Sequence, residues 1–282
     1  SKCVIAAEMT PDCILKEIER GQATHTFIGS PSLIEVLDHP NVAKYDLSSV
    51  SFIVLGGAPL SSEIFKRAIR VFGNVFGAVF GLAECGPITG LRPDELVVEG
   101  SPEEMKRLQS CGREAINADV RIVDDQGNDL PSRELGEVIV KGDCVMKEYL
   151  KAPQATEQAI RGGWLYTGDM ATRDKDGYIY VQGRKKDMIT TSGRTVVASE
   201  IEDVLYEQPS VKEAAVVGVP DEDLGQAIKA VIVLREGEEL SEGTVIELCK
   251  KSLPDFAIPK FVEFVTALPK STVGKILKHK LG

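Results

Sequence analysis

The stretch GYIYVQGRKKDMI, residues 177–189, stands where the pattern of the chain changes and decides how the fold divides. Its first half reads as a short β-strand with glycine at both ends. The charged run that follows, residues 184–187, is expected to be exposed and to join two domains. Short strands predominate before this joint, and helices mix with strands after it.

The part after the joint, residues 184–282, has the pattern of a small α+β domain. SEIEDVLYEQP predicts a helix that begins with Ser199 and Glu202 in capping-box spacing. Two strands around a Pro-Asp turn are predicted in residues 213–234, and another helix in residues 240–254.

The part before the joint divides into two expected subdomains. Residues 1–92 alternate strands and helices, which predicts an α/β layer with a parallel sheet. The Thr-Pro and Ser-Pro pairs that begin at Thr10 and Ser30 predict two helix N-termini there, each with the hydroxyl as cap. Residues 93–183 carry short, glycine-bounded strands and predict a β-rich subdomain.

The composition is that of a globular protein and narrows the functions to consider. The chain has 282 residues and a formal net charge of -10, which argues against binding nucleic acid or anionic lipid. No apolar run reaches the roughly 20 residues of a transmembrane helix. The six cysteines are scattered without a Cys-x-x-Cys pair, so we expect no zinc or redox site and a cytoplasmic protein.

Motifs of several common enzyme classes are absent from the sequence. There is no Walker-type phosphate loop, no G-x-G-x-x-G, no H-E-x-x-H and no G-x-S-x-G. The three histidines show no spacing that indicates a catalytic triad or a metal site. The sequence therefore gives little support to a hydrolase or a metalloenzyme.

Five stretches in order along the chain carry a resemblance. They are GGAPLSS (56–62), FGLAECGP (80–87), GWLYTGDM (163–170), GYIYVQGRKKDMI (177–189) and PKSTVGKIL (269–277). Their order and spacing resemble the acyl-adenylate-forming superfamily of acyl-CoA synthetases, peptide-synthetase adenylation domains and firefly luciferase. The resemblance implies a truncated adenylate-forming fold, in which residues 1–183 are a remnant of the large N-terminal domain and residues 184–282 are the small mobile C-terminal domain.

The resemblance implies that the first stretch lies against adenine. The residues expected there are Gly56, Gly57, Ala58 and Pro59. Small residues at a strand end allow the backbone to approach a flat ligand closely. On this segment alone, a plain strand-to-helix turn is the alternative.

The second stretch resembles the family's aromatic-Gly-x-Thr-Glu motif. By that match Phe80 and Gly81 lie at adenine, and Glu84 holds Mg²⁺ at the triphosphate. A carboxylate oxygen is a ligand that this hard ion accepts. Val181, three residues before Arg184 in the fourth stretch, is expected to line the same adenine slot. Ala83 replaces the family's threonine, which bonds the α-phosphate, so one phosphate contact is in question.

The carboxylate of GWLYTGDM, Asp169, follows a Thr-Gly turn. A carboxylate can accept two hydrogen bonds side by side, which suits the paired hydroxyls of a ribose. The resemblance implies this role for Asp169, with Arg184 contributing from across the joint. The alternatives are a salt bridge or an Asp turn that closes a hairpin.

Three further residues take roles from the resemblance. Lys186 is the expected hinge between the two domains, and Gly193 lies in the loop that guides the pantetheine arm of CoA. Lys275 is expected to reach the acid and the α-phosphate and to offset charge as the adenylate forms. The alternative for Lys186 and Lys275 is that each is an ordinary solvated lysine on the surface.

The family's Ser/Thr/Gly-rich phosphate loop, which lies upstream of GGAPLSS, does not occur in this sequence. We therefore expect the chain to be the C-terminal part of a longer protein, by itself inactive or nearly so, with at most weak affinity for AMP-like ligands. We also expect an uncovered apolar sheet face, which a missing N-terminal portion or a homodimer could cover.

The predicted function is that of an acid–CoA ligase for fatty or aryl acids, with a small carboxylic acid, ATP and CoA as ligands and Mg²⁺ as metal. A peptide-synthetase adenylation domain is one alternative, although no carrier domain follows. A non-catalytic nucleotide-binding or interaction module is another. Ala83 and the missing loop favour that module, and Lys275 favours an enzyme.

Overall fold

The computed structural model describes residues 2–56, 62–270 and 276–282, which form two compact units. The first unit runs to Thr167 and includes Ala171–Val181. The second unit consists of Gly168–Met170 and Gln182–Gly282. The border therefore falls inside two β-strands rather than in a loop.

The first unit contains the α/β layer with parallel strands that the sequence predicts. Its sheet order is β1 (His25–Gly29), β2 (Phe52–Gly56), β3 (Phe76–Leu82), β4 (Gly86–Leu91) and β5 (Arg113–Glu114). The first three strands are parallel, and β4 and β5 are antiparallel additions. Its helices are α1 (Pro11–Gly21), α2 (Ser30–Leu37), α3 (Ser62–Phe72) and α4 (Pro102–Lys106).

The two predicted helix caps have different outcomes. Thr10 caps α1, because its hydroxyl accepts a hydrogen bond from the backbone N–H of Cys13 at 3.4 Å. The cap predicted at Ser30 is wrong, since Ser30 lies inside α2 and Gly29 is the N-cap. The Ser30 hydroxyl donates instead to the carbonyl oxygen of Gly56, at 3.5 Å. The hydroxyl thus donates to a distant carbonyl oxygen instead of accepting from an N–H group in the first turn of its own helix.

Apolar side chains of α1, α3 and the parallel strands form the core of this layer. Leu15 and Ile18 of α1 are buried, as their helical spacing predicts. Phe76 of β3 is fully buried, and the rings of Phe65 and Phe72 meet it edge-on at centroid distances of 6.2 and 6.0 Å. Edge-to-face pairs of this kind stabilise a core beyond area burial alone.

The second sheet is the β-rich part that the sequence predicts. Its path is β10 (Ile179–Arg184), β9 (Trp164–Arg173), β7 (Gly136–Lys141) and β6 (Asp119–Val123), with β8 (Ile160–Arg161) paired to β9. β6 and β7 are antiparallel, and α5 (Pro153–Ala159) precedes β8. The Asp124 carboxylate closes the turn after β6 by accepting from the backbone N–H groups of Gln126 and Asn128.

Tyr178 fixes the start of β10. Its side chain is buried, and the guanidinium groups of Arg107 and Arg113 lie over its ring at 4.7 and 4.4 Å. Its hydroxyl donates to Glu95 and accepts from Arg113, each at 2.9 Å. Burial is the main cause that raises the pKa of this hydroxyl. The next residue, Ile179, donates to the carbonyl oxygen of Gly112 at 2.9 Å, so β10 begins at a fixed point.

The second unit contains the α+β fold that the sequence predicts. Its elements are β11 (Ile189–Thr191), β12 (Arg194–Val196), α6 (Ala198–Tyr206), β13 (Val211–Asp221), β14 (Gly225–Leu234), α7 (Glu242–Ser252) and β15 (Phe261–Phe264). The predicted hairpin is β13 with β14, and the sheet order is β12, β11, β14, β13. β15 joins β14 in parallel, which the sequence pattern does not indicate. Within the described ranges, no helix is long and apolar enough to cross a membrane.

The capping box predicted at the start of α6 is wrong. The N-cap is Val197, and its side chain makes no cap hydrogen bond. Ser199 donates instead to the carbonyl oxygen of Gln182 at 2.7 Å. Glu202 accepts from the backbone N–H of Val216 at 2.7 Å. Both side chains thus tie α6 to neighbouring strands rather than to its own first turn.

Asp221 closes the β13–β14 hairpin, and we predict that its charge stabilises the second unit. Lys260 donates to its carboxylate at 2.5 Å and holds its pKa below the ordinary value. Because the folded-state pKa is lowered, the stabilisation is complete above the ordinary aspartate pKa and is lost as pH falls through the lowered value. Asp221→Asn should lower the urea midpoint at pH 7, with a smaller difference from wild type at pH 3.

The matched control for this substitution is Asp223→Asn, which removes an exposed carboxylate from the same turn. It should leave the urea midpoint near that of wild type at both pH values. Equal effects of the two substitutions at pH 7 would contradict a specific role for Asp221.

Candidate functional site

The residues predicted to form the site lie on elements of both units. Those of the first unit are on β2, the β3–β4 hairpin and the first half of β10, and those of the second unit are on β9, the end of β10 and the turns after it. Four predicted residues lie outside the described residues: Gly57, Ala58, Pro59 and Lys275.

Gly56 is the last residue of β2 and lies against an aromatic ring. A Cβ atom on Gly56 would lie 2.7 Å from the ring of Phe27 on β1, so only glycine fits here without displacing that ring. The carbonyl oxygen of Gly56 accepts from Ser30. The strand end that leads into the predicted adenine segment is thus held by its neighbours.

The β3–β4 hairpin carries Phe80, Gly81 and Glu84. Pairing between the two strands shifts register between Phe80 and Gly81. A Cβ atom on Gly81 would lie 2.0 Å from the carbonyl oxygen of Gly86, so the two backbones approach too closely for any other residue. Phe80 and Val181 are partly buried and pack against one apolar cluster, which includes Ile88. The structure therefore brings the two residues predicted to line the adenine slot onto the same cluster.

Glu84 is half-buried and held at two atoms. Its carbonyl oxygen accepts from the backbone N–H of Met146 at 2.6 Å. Its carboxylate oxygen Oε1 accepts from the hydroxyl of Tyr149 at 2.8 Å. Sequence reasoning missed Tyr149, because nothing in the local pattern links two segments 65 residues apart.

The surroundings of Glu84 fit a magnesium ion that is bound mainly by a substrate. No cluster of three or more metal-ligating side chains occurs within the part of the chain that the structure describes. Mg²⁺ does not require such a cluster, since it keeps waters and commonly takes one or two carboxylates together with substrate phosphates. A single oriented carboxylate is compatible with that chemistry.

Asp169 and Arg184 form an ion pair within the second unit. Asp169 Oδ1 lies 3.2 Å from Arg184 Nε, and the Asp169 side chain is 11% exposed whereas that of Arg184 is 45% exposed. A carboxylate this buried needs a partner, which the guanidinium supplies. The preceding Gly168 has a φ of +71°, and a Cβ there would lie 3.5 Å from Arg184 Nη1. Thr167, Gly168 and Asp169 lie within β9, so the predicted Thr-Gly turn is wrong, and the strand itself places the carboxylate beside the arginine that ends β10.

Lys186, the predicted hinge, lies directly after β10. It is the middle residue of a short 3₁₀ turn, Lys185–Asp187, and its side chain is exposed. The turn closes with a hydrogen bond from Met188 N–H to the Lys185 carbonyl oxygen at 3.3 Å. A single-turn element with an exposed side chain imposes few packing constraints on backbone rotation.

Gly193 lies in the two-residue turn between β11 and β12. Ser192 and Gly193 have φ values of +48° and +72°, and Thr191 pairs with Arg194 across the turn. Two successive positive φ values are typical of a type I′ hairpin. A Cβ on Gly193 would meet no atom within 4 Å, so the described surroundings of this turn are open.

The described residues on either side of Lys275 are well anchored. Lys270 pairs with Ile276 in an antiparallel bridge, and the backbone N–H of Leu277 donates to the carbonyl oxygen of Pro269 at 2.8 Å. Lys270 also forms an ion pair with Glu213. The second unit therefore fixes both ends of the segment that contains Lys275.

A cavity of about 840 Å³ lies elsewhere in the first unit. Its lining includes Val4, Ile14, Thr26 and Phe27, from the N-terminal segment, α1 and β1. None of the predicted site residues lines it. The candidate site is defined instead by the contacts of Asp169, Arg184 and Glu84.

Comparison with protein families gives two matches along the chain. A family model described as AMP-binding enzyme matches residues 1–150. A second model, described as AMP-binding enzyme C-terminal domain, matches residues 200–275.

Individual relatives agree with the family models. A long-chain-fatty-acid–CoA ligase of Escherichia coli O6:H1 is 36% identical over 87% of this chain and 42% of its own length. A feruloyl-CoA synthase of Streptomyces is 33% identical over 99% of this chain and 55% of its own length. The chain thus spans about half the length of these relatives.

Solved structures show the same relationship. The amide bond synthetase of Marinactinospora thermotolerans superimposes with a TM-score of 0.85 at 36% identity, over 96% of this chain and 55% of that chain. The o-succinylbenzoate–CoA synthetase of Bacillus subtilis in complex with AMP gives 0.84 at 28% identity, over 96% and 53%. The chain therefore has the fold of about half of these adenylate-forming enzymes, which confirms the fold class that the resemblance implies.

The close backbone approach in the β3–β4 hairpin gives a stability prediction. Gly81→Ala should lower the free energy of unfolding by more than about 3 kcal/mol, because the new methyl group meets backbone that cannot move aside. Gly86 is the first residue of β4 in the same hairpin. Gly86→Ala should lower the free energy of unfolding by about 1 kcal/mol, because a φ of +64° is strained for alanine although the space around the new methyl group is open. Urea denaturation measures both values, and similar losses would contradict the hairpin geometry.

Proposed function

The chain belongs to the family of AMP-binding enzymes, and from that premise we propose that the protein is an ATP-dependent acid–CoA ligase. In the first half-reaction a carboxylate oxygen of the acid attacks the α-phosphorus of ATP, the bond to the bridging oxygen breaks, and pyrophosphate leaves. In the second, the sulfur of CoA attacks the acyl carbon, the thioester bond forms, and AMP leaves.

The observation that carries the proposal is the Asp169–Arg184 pair, at 3.2 Å. A carboxylate has about four acceptor positions, so it can take one guanidinium N–H and still accept ribose hydroxyls. We assign Asp169 to the ribose and Arg184 to orienting that carboxylate. Both come from motifs with the family's order and spacing, which supports a nucleotide ligand over an isolated surface salt bridge.

Residues of the first unit are proposed to contact the nucleotide on the basis of their motifs. Phe80 and Val181 share an apolar cluster, which supports their assignment to the adenine slot together with Gly56 and Gly81. Glu84 is the proposed ligand of Mg²⁺, whose charge, when it is bound, offsets that of the triphosphate. Gly57, Ala58 and Pro59 keep their proposed place at adenine on sequence grounds alone.

Lys275 is the proposed catalytic residue. Negative charge builds on the α-phosphate oxygens as the acid attacks, and a cation that reaches them stabilises the transition state without transferring a proton. The assignment of Lys275, which lies outside the described residues, comes from the resemblance of PKSTVGKIL to the family's lysine segment. Lys186 is the proposed hinge, at which backbone rotation would move the C-terminal domain from one half-reaction to the next.

The acid is proposed to be a fatty or aryl acid. The curated relatives named above are a fatty-acid ligase and a feruloyl-CoA synthase, which supports both classes. Their names also support CoA as acceptor, for which Gly193 is the proposed approach point. A neighbour is an amide bond synthetase, so the acceptor is the part of the reaction to test first.

A non-catalytic nucleotide-binding module is the second candidate. Ala83 favours it, because the position lacks a hydroxyl for the α-phosphate. Retained adenylate chemistry through Lys275 would distinguish the ligase from this module. A peptide-synthetase adenylation domain has no comparable observation in its favour.

Nucleotide binding by the chain tests the assignment of Asp169. Asp169→Asn should weaken AMP binding at least about tenfold in isothermal titration calorimetry, because hydrogen bonds from the ribose to a charged acceptor are lost. Asp94→Asn is the matched control, since Asp94 also pairs with an arginine, Arg92, at 3.2 Å but is 69% exposed. Unchanged AMP affinity in Asp169→Asn would remove the basis of the proposal.

Pyrophosphate release tests the enzymatic part of the proposal. In the intact gene product, Lys275→Ala should lower the adenylation rate at least about a hundredfold with ATP binding nearly unchanged, because the lost interaction acts on the transition state. Lys280→Ala, which removes an exposed lysine close in sequence, should have no such effect. An unaltered rate in Lys275→Ala would favour a different catalytic group.

A further inference from the structure

The hydrogen bond from Tyr149 to Glu84 has no role in the function proposed so far. The Tyr149 hydroxyl donates to Glu84 Oε1 at 2.8 Å. From the same loop, the backbone N–H of Met146 donates to the Glu84 carbonyl oxygen at 2.6 Å. One loop thus contacts both the backbone and the side chain of the carboxylate that we assign to Mg²⁺.

Tyr149 is itself fixed by hydrogen bonds at the start of α5. Its backbone N–H donates to the hydroxyl of Thr156 at 2.9 Å, and that hydroxyl donates to the carbonyl oxygen of Ala152 at 3.1 Å. The backbone N–H of Ala152 donates in turn to the carbonyl oxygen of Tyr149 at 3.2 Å. The phenol therefore reaches Glu84 from a loop whose own conformation is set.

The donor to Glu84 is neutral, which matters for a metal ligand. A lysine or arginine at this place would orient the carboxylate but would also cancel the charge that attracts a cation. A phenol hydroxyl orients one oxygen and leaves the negative charge in place. Asp169 differs, since its partner is a guanidinium and its proposed ligands are neutral hydroxyls. The two carboxylates thus have donors that match their different ligands.

We propose that Tyr149 is a positioning residue for the metal–triphosphate complex. By holding Glu84 Oε1, it restricts the rotation of the carboxylate and prepares it to bind Mg²⁺ on ATP. The inference rests on the proposed function, because it takes Glu84 as the metal ligand. Tyr149 itself touches neither the metal nor the nucleotide in this proposal.

The test uses Mn²⁺ as the probe, with ATP, on the purified chain. Binding of the preformed Mn²⁺–ATP complex to the protein is followed by electron paramagnetic resonance, which separates protein-bound from free Mn²⁺–ATP, and AMP binding without metal is measured by calorimetry. Tyr149→Phe should weaken Mn²⁺ binding about tenfold and leave AMP affinity unchanged. Tyr206→Phe is the control, because that hydroxyl also makes hydrogen bonds, to the backbone of Ala214 in the second unit. It should change neither measurement.

Glu84→Gln separates failure of this inference from failure of the proposed function. If Glu84→Gln loses Mn²⁺ binding and Tyr149→Phe does not, the role of Tyr149 is overturned and Glu84 keeps its assignment. If Glu84→Gln binds Mn²⁺ as well as wild type, the metal assignment and this inference both fail. Equal weakening of Mn²⁺ and AMP binding in Tyr149→Phe would show that the residue acts on the folded state as a whole, which also overturns the proposal.

Discussion

A carboxylate taken out of water costs several kcal/mol unless donors replace the lost water, and this constraint ties together the segments that matter in this protein. Asp169 is nearly buried and lies beside Arg184. Glu84 is half-buried and accepts from Tyr149. Glu202 accepts from a neighbouring strand and pairs with Lys278 at 2.7 Å. In each case the donor comes from another element, so satisfying the charge also fixes where that element lies.

The order of motifs and the alternation of elements could be predicted from the sequence. Parallel strands, the β-rich part and the α+β part follow from hydrophobic period and glycine positions, which are local properties. The family follows from five short stretches in order, since each alone is compatible with an ordinary turn. The proximity of Asp169 and Arg184 could be predicted from the sequence, because both residues lie in such stretches.

The failures come from contacts between distant segments. Ser30 and Ser199 have the local pattern of caps, but each donates to a carbonyl oxygen of another element, Gly56 and Gln182 respectively. The parallel pairing of β15 with β14 and the bond from Tyr149 to Glu84 leave no trace in local sequence. A hydroxyl group can donate to or accept from any partner within reach in the folded state, and sequence spacing reveals only the partners nearby in the chain.

The border between the two units has a consequence for exchanging parts between homologous proteins. The chain crosses that border three times, after Thr167, after Met170 and after Val181. A hybrid joined at the third crossing alone would take its arginine from one parent and its Thr-Gly-Asp segment from the other. Such a hybrid inherits a buried anion and a counter-ion that were never selected together, so coevolution of residues 168–170 with the C-terminal segment is expected wherever this architecture recurs.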